Sequence, residues 1–571
     1  MIRLICICVC LAPATLARAA ADLILHNGNV ITVAEDFAIH QAVAVRAGRI
    51  AAVGSDAEVL RQRGTDTTVI DLQGRTVLPG LIDSHTHPSG ASMFEFDHPV
   101  PQMDTIADVL AYVKSRADAL PAGTWIWVSQ VFITRLREQR YPTRAELDSV
   151  APEHPVVFRT GPDASLNSLA LKLSGIDRNF QVVGAGHLER DAGGEPTGIL
   201  RGCTRYIKSG NQGRRSATSA DRLQRLSALL ADYNSVGITC IADRGANESS
   251  LSRFMQLRAD GKLSIRLAAS WHIGTGGSLD SIRQNIREIA EHPLRRGNDQ
   301  VRIVGVKAYL DGGMLTGSAY MREPWGLSKI YSIDDPRYRG VLFIPHDRLV
   351  PIVRATVENG LQFTAHSVGD GAVHALLDAY EEVNKDTPIQ STRPCITHCN
   401  FMSLEAIQQM AELGVVADIQ PAWLYLDTRT LTAQFGDERL RYFQPLKTLF
   451  EHQVVVGGGS DHMQKIGSFR SINPYNPFLG MWVTITRRAK WHTGQLHAEE
   501  ALSREQALRF YTINNARICF LDDQVGSIEV GKQADLIVID RDLLTCDVDE
   551  IKETRVIRTY LSGRQVFPAT D

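Results

Sequence analysis

Through the middle of the chain, short continuous apolar runs alternate with longer stretches whose apolar positions recur every third or fourth residue. The runs "TVLPGLIDSH", "GITCIADR", "IRLAASWHI", "VRIVGVKAYLD", "LQFTAHSVGD", "PCITHCN", "GVVADIQP" and "VVVGGGSD" have the length and branched content of buried strands. Between them, "DRLQRLSALLADYNSV", "GAVHALLDAYEEVN" and "SLEAIQQMAELG" carry the period of amphipathic helices. Eight strands with intervening helices predict an α/β chain folded as a (β/α)8 TIM barrel over residues 77–524. One interval breaks the rhythm. About residues 89–218 separate the first run from the helix before the second, and this interval contains "TWIWVSQVF", "HPVVFRT" and "PTGILRG". A barrel loop of that length must carry its own structure, which predicts an inserted subdomain over the mouth.

The two ends have a different texture. "DLILHNGNVITV", "AVAVRAGRIAAVG" and "TTVIDLQGRTVLPG" near the start, and "GSIEVGKQADLIVID" and "RVIRTYLSGRQVF" near the end, are β-branched runs punctuated by Gly and Asn. They read as antiparallel strands. Neither end has enough strands to close a sandwich alone, so residues 20–76 and 525–571 are expected to pair into one small β-sandwich. Ahead of them, "MIRLICICVCLAPATLARAA" combines Arg3, a short apolar stretch and Ala17-Arg18-Ala19. That is the pattern of a signal peptide over residues 1–19, cleaved near Ala19, and it predicts an exported protein, periplasmic or secreted, with no membrane contact after cleavage.

Composition narrows the partners. With 44% hydrophobic and 22% charged residues among 571, and a formal charge of -3, the chain has the make-up of a soluble globular enzyme. No Lys/Arg block is present, so nucleic acid is not an expected partner; a small molecule is, and a homo-oligomer stays open. Six cysteines follow the leader, Cys203, Cys240, Cys395, Cys399, Cys519 and Cys546, without framework spacing. Cys395 and Cys399 on one strand would lie about 13 Å apart, beyond disulfide reach, and read as buried thiols.

Barrel enzymes keep their chemistry at the C-terminal ends of the strands. There the first run has His85 and His87, two apart and so on one face of a strand. The fourth run carries Lys307, the fifth His366, the sixth His398 and the eighth Asp461. Imidazole nitrogen and carboxylate oxygen suit Zn²⁺ or a similar divalent ion, and the absence of thiolates points to a catalytic rather than a structural site. Lys307 joins such a set after reaction with carbon dioxide to a carboxylated lysine, bridging one ion on His85, His87 and Asp461 and another on His366 and His398. One or two ions per chain are therefore expected. Asp461 would act as acid/base in the hydrolysis of a C–N bond, an amide. An unmodified Lys307 goes instead with a mononuclear deaminase or cyclic amide hydrolase, and outside enzymes a non-catalytic ligand-binding barrel is the competing reading. His374 reads as a helix residue, His272 and His462 as pocket or supporting groups, and Trp125, Trp127 and Trp423 as packing residues.

The motifs "VLPGLIDSHTHP", "PTRAELDSVAPEHPV", "GEPTGIL", "VGVKAYLDGG", "HSVGD", "GGSDH" and "GSIEVGKQADLIVID" together resemble the amidohydrolase superfamily, in its branch of N-substituted formamide deformylases and YtcJ-like proteins. The resemblance covers essentially the whole chain after the leader. It implies a metal-dependent barrel hydrolase with a sandwich built from both ends, with His85, His87, His366 and His398 at metal positions, Lys307 at the lysine that binuclear relatives carboxylate, and Asp461 at the acid/base position. Two positions depart from that pattern. Pro162 in "TGPDASLNS" stands where a histidine is usual, and Thr397 stands where a glutamate commonly precedes the sixth-strand histidine, so formamide specificity is not assigned from the resemblance.

Overall fold

Eight strands lie side by side in chain order, every pair parallel: β1 (Leu81–Thr86), β2 (Ile238–Ala246), β3 (Arg266–His272), β4 (Val301–Tyr309), β5 (Gln362–Ser367), β6 (Cys395–His398), β7 (Val416–Ile419) and β8 (Val456–Gly458). The structure, a computed structural model, describes residues 20–161, 163–183 and 186–569; the leader over 1–19 and Pro162 lie outside the described residues. Each of the eight predicted runs holds one barrel strand, and the TIM-type barrel stands as read. The helices between them form for local reasons. In Leu404–Leu413, Ser403 caps the N-terminus through Ala406 N, Gly414 ends it at φ 69, and Ala406, Ile407, Met410 and Leu413 bury one face.

The sheet closes next to the predicted site. Beyond the last ladder, Asp461 N donates to His85 O at 2.8 Å, His87 N to His462 O at 2.8 Å, and Ser460 N to Asp83 Oδ1 at 3.0 Å. The run "GGG" makes this approach possible: a Cβ on Gly459 would sit 2.6 Å from His85 N, and one on Gly458 2.0 Å from the Phe510 ring.

The first apolar run serves two sheets. Thr76–Pro79 pairs antiparallel with Leu536–Ile539 from the other end of the chain, and only after Gly80 does the chain enter the barrel as β1. The first barrel strand therefore begins at Leu81 and not near Val77. Gly80 is where the chain passes from one sheet to the other, and a Cβ there would meet Thr239 Oγ1 at 2.1 Å.

The terminal segments form a four-stranded and a six-stranded sheet, the latter mixing Arg564–Phe567, Val556–Leu561 and Leu536–Ile539 with Thr76–Pro79, Asn29–Ile31 and Ile39–His40. Leu25, Val43, Val45, Val77, Ile528, Leu536 and Val538 pack between them. Not every pairing is antiparallel, contrary to the expectation from short turns. Leu23–His26 lies parallel to Thr68–Asp71, and Asn29–Ile31 parallel to Thr76–Pro79, because long excursions separate the partners and let the chain return in the same direction.

Within the long interval a five-stranded sheet forms from Ile126–Ser129, Val156–Thr160, Asp163–Leu166, His187–Arg190 and Pro196–Arg201. Helix Ile106–Ala119 covers it through Val109 and Val113 against Ile126, Val128 and Phe158. All six cysteines among the described residues are free, five of them buried, Cys395 and Cys399 included. Among the described residues no helix is long and apolar enough to cross a membrane.

Barrel and terminal sheets are joined by a buried ion pair. Arg266 at the start of β3 reaches Asp535 with Nε to Oδ2 at 2.6 Å and Nη2 to Oδ1 at 2.8 Å, and Ser562 N donates to the same carboxylate at 2.8 Å. Removing one partner of such a pair costs about 3–5 kcal/mol, since it leaves the other charge buried alone. Asp535→Ala is expected to lower stability by about that amount, read as a shifted urea midpoint by circular dichroism; an unchanged midpoint would show that the pair contributes nothing to the junction.

Candidate metal centre

Strand geometry brings the six predicted residues to one rim. His85, within β1, and His87, just past its end, face each other with Nε2 atoms 3.3 Å apart. Asp461, after β8, places Oδ1 3.5 Å from His85 Nε2 and 3.3 Å from His87 Nε2. The His85 ring stacks on His398 at 5.0 Å between centroids, and His398 meets His366 at 4.6 Å. Lys307 is 1% exposed, has no carboxylate in ion-pair contact among the described residues, and holds Nζ 5.5 Å from the centre of the Tyr309 ring. That ring in turn lies 5.4 Å from His366.

Two of these residues have backbones that side chains seldom adopt: φ is 80° at His398 and 55° at Asp461. Such conformations persist only where surrounding structure fixes them, and they concentrate at functional sites. Here both aim a side chain inward at the moment the strand ends.

The hydrogen bonds behind the histidines decide which nitrogen each one offers. Asp418 of β7 accepts from Ser84 Oγ at 2.7 Å and from Gln420 Nε2 at 3.0 Å on Oδ1, and turns Oδ2 to His85 Nδ1 at 3.2 Å. A carboxylate accepts, so His85 carries its proton on Nδ1 and leaves Nε2 bare. With its amide nitrogen committed to Asp418, Gln420 presents Oε1 to His398 Nδ1 at 2.6 Å, and His398 Nε2 is bare as well. His366 is reversed: Nε2 donates to Gly312 O at 3.3 Å and Nδ1 is the free atom. Burial holds all three imidazoles neutral. It drives His366 down to about 3 with help from the Lys307 charge, and His85 and His398 well below the ordinary histidine value. Burial, then the Arg244 charge, lowers Lys307 to about 8.

This set fits a divalent cation. The bare lone pair of His85 Nε2 confronts a carboxylate oxygen at 3.5 Å, a repulsive contact that a cation between them turns into an attraction, and the ligand atoms of His85, His87 and Asp461 lie within 4.8 Å of one another. Neutral imidazole is also the ligating form.

Several supporting residues were not singled out in the sequence. Asp418 and Gln420 stand two apart in "ADIQ", and their signal was polar side chains inside an apolar strand run. Arg244, fully buried in β2, donates to Ser84 O at 3.0 Å and lies 3.5 Å from Asp418 Oδ2. Thr397, at the departure from the family pattern, bonds Thr364 Oγ1 at 2.8 Å. Among the other histidines, His374 lies on helix Asp370–Asn384 against Ser403 Oγ at 3.0 Å, and the His462 ring is held by Tyr233 Oη at 2.7 Å; neither ring stacks on a site histidine. Trp423 does: its ring stacks on His398 at 4.6 Å, while Trp125 and Trp127 pair with each other in the insert.

Comparison with known proteins identifies the family. The amidohydrolase family model matches residues 68–567, and the chain belongs to that family. It is 30% identical to N-substituted formamide deformylase of Arthrobacter pascens over 95% of this chain and 97% of that one. YtcJ of Bacillus subtilis is 25% identical over 95% of this chain and 99% of its own. Among solved structures, a metal-dependent hydrolase from Pyrococcus horikoshii OT3 shares the fold at a TM-score of 0.65, with 21% identity, over 92% of this chain and 99% of that one. The protein is thus a hydrolase, as the resemblance in its motifs implied.

Outer partners of ligating histidines tune affinity by about 10–100-fold. Gln420→Leu removes the acceptor that fixes His398, and zinc affinity measured by chelator competition is expected to fall by at least about tenfold. Equal affinity in variant and parent would remove Gln420 from any such role.

Proposed function

We propose that this enzyme hydrolyses the C–N bond of a small-molecule amide, N-formyl or N-acyl compound, with zinc as the native ion. The observation that carries the reading is the carboxylate of Asp461, aimed through Oδ1 at two imidazole nitrogens. His85, His87 and Asp461 would hold one ion; His366 and His398 would hold a second, with a carboxylated Lys307 as a further ligand. Support for the carboxylated form is a buried amine with no ion-pair partner among the described residues, its Nζ 5.5 Å from the centre of the Tyr309 ring. Nitrogen and oxygen donors without thiolate favour zinc, and the similarity to a formamide deformylase supports a C–N linkage.

A bound divalent ion supplies Lewis acidity, making hydroxide available near neutral pH and polarising a carbonyl. The chain does the rest. Asp461 takes the proton from the attacking water and returns it to the leaving nitrogen, a transfer worth about 10²–10⁴-fold. Tyr309, 43% exposed between His272 and His366, and His87, the least buried of the ligands, mark the side from which substrate arrives. His85, His87 and Asp461 by themselves would hold a single ion, and that arrangement favours the deaminase or cyclic amide reading. We propose export as well, on the charged start, apolar stretch and Ala-x-Ala end of residues 1–19.

The test is metal content and turnover together. Protein purified without chelator and with bicarbonate is expected to carry about two divalent ions and to cleave N-formyl or N-acyl amines; chelator should abolish turnover and zinc restore it. One ion with ammonia release from an aminated ring would replace this reading with the mononuclear one. Asp461→Asn is expected to lower kcat by at least about 100-fold, and a variant with parental kcat would remove Asp461 as the proton carrier.

A further inference from the structure

Asp461 Oδ1 faces the imidazoles, and its other atoms are held from the opposite side by a group outside the barrel rim. After β8 the chain returns at Asn473, 2% exposed, whose Nδ2 donates to Asp461 O at 2.8 Å and to Asp461 Oδ2 at 3.4 Å. An amide can face a carboxylate with its nitrogen or, unfavourably, with its oxygen. The choice is made one step further out, where Arg135 Nη1 donates to Asn473 Oδ1 at 2.9 Å and to Ile472 O at 3.0 Å. With a guanidinium on its oxygen, Asn473 must turn its NH₂ group toward Asp461.

Arg135 belongs to the insert, in the turn Ile133–Arg135, and it is not free to move. Its Nε and Nη2 bind both oxygens of Asp427 at 2.8 and 2.6 Å, a forked pair in which Asp427 is 1% exposed, on helix Pro421–Arg439 that follows β7. The same turn is strapped to that helix by Thr430 Oγ1 donating to Thr134 O at 2.9 Å and Arg429 Nη2 to Leu136 O at 2.7 Å.

We propose that Asn473 is a positioning residue for Asp461, and that the insert sets its orientation through Arg135. The relay has two consequences. It pins Oδ2, so that Oδ1 alone is presented to His85 and His87 and the carboxylate cannot rotate away from the leaving group. It also holds the carbonyl of a residue whose backbone lies at φ 55. The insert is therefore part of the active-site machinery and not only a cover for the mouth. The inference uses the hydrolase reading only for what Asp461 does; the geometry of the relay stands apart from it.

The test reads the centre with and without substrate, in the full-length protein. In cobalt-substituted protein, Asn473→Leu is expected to shift the visible bands and to weaken zinc binding by about tenfold or more. With an N-formyl or N-acyl amine as substrate, kcat should fall by a similar factor while KM stays within about twofold. Arg135→Leu together with Asp427→Leu removes both buried charges at once, which proteins tolerate far better than removal of one; it should reproduce the same shift with Asn473 intact. Phe469→Ala, at an exposed side chain of the same loop, should match the parent. The proposal falls if Asn473→Leu and the double variant both keep the parental cobalt spectrum and zinc affinity. A shifted spectrum in a protein that cleaves no C–N substrate would leave the relay standing and overturn the hydrolytic assignment.

Discussion

The carboxylate of Asp418 is the constraint on which the site depends. A buried carboxylate is costly unless its lone pairs are filled, and here five side chains fill them: Ser84, Gln420, His85 and, each at 3.5 Å, Thr397 and Arg244. Each of those bonds also places something. His85 acquires its tautomer directly, and Gln420, with its amide nitrogen committed, passes the constraint to His398. Arg244 crosses the barrel interior to Ser84, Ser270 and Gln362, so strands β1, β2, β3, β5 and β7 share buried polar contacts beneath the site. A core of Val and Leu alone would pack as densely, but it would leave two imidazoles free to spin.

The upper side of the site is fixed by a different part of the chain. Asp461 is held from above by the loop that follows it and by the turn of the insert that docks on the helix after β7. A centre gripped from below by the barrel and from above by the insert has its ligands placed before any ion or substrate arrives, which is the condition under which binding and catalysis lose least to reorganisation.

How much of this was legible follows from range. The eight strands could be read because each is a self-contained apolar run, and the histidines because strand ends are where a barrel displays polar groups. His85 and His87 needed only a period of two. What the sequence did not disclose is set by partners hundreds of residues apart: Asp418 with His85, Arg135 with Asp427, Arg266 with Asp535. The double use of "TVLPGLIDSH" escaped for a related reason, since nothing local marks Gly80 as the crossing; its need for glycine comes from Thr239 in another strand. The parallel pairs near the start were hidden in the same way, because pairing direction depends on the path of the connection and not on the strands.

Closure of the barrel and construction of the site are one event. Two of the bonds that join the last strand to the first are made by the backbones of His85, His87, Asp461 and His462 themselves, so main-chain hydrogen bonds set the distance between the two halves of the ligand set. Gly459 permits that approach, the left-handed φ of Asp461 then turns its carboxylate inward, and Asn473 holds it there. Strain in one residue is thereby tolerated because the seam on one side and the insert on the other over-determine its position. An insertion that altered the insert's turn at Ile133–Arg135 would act on the chemistry without touching any residue that meets substrate, which is how a loop distant in sequence can alter turnover on an unchanged barrel.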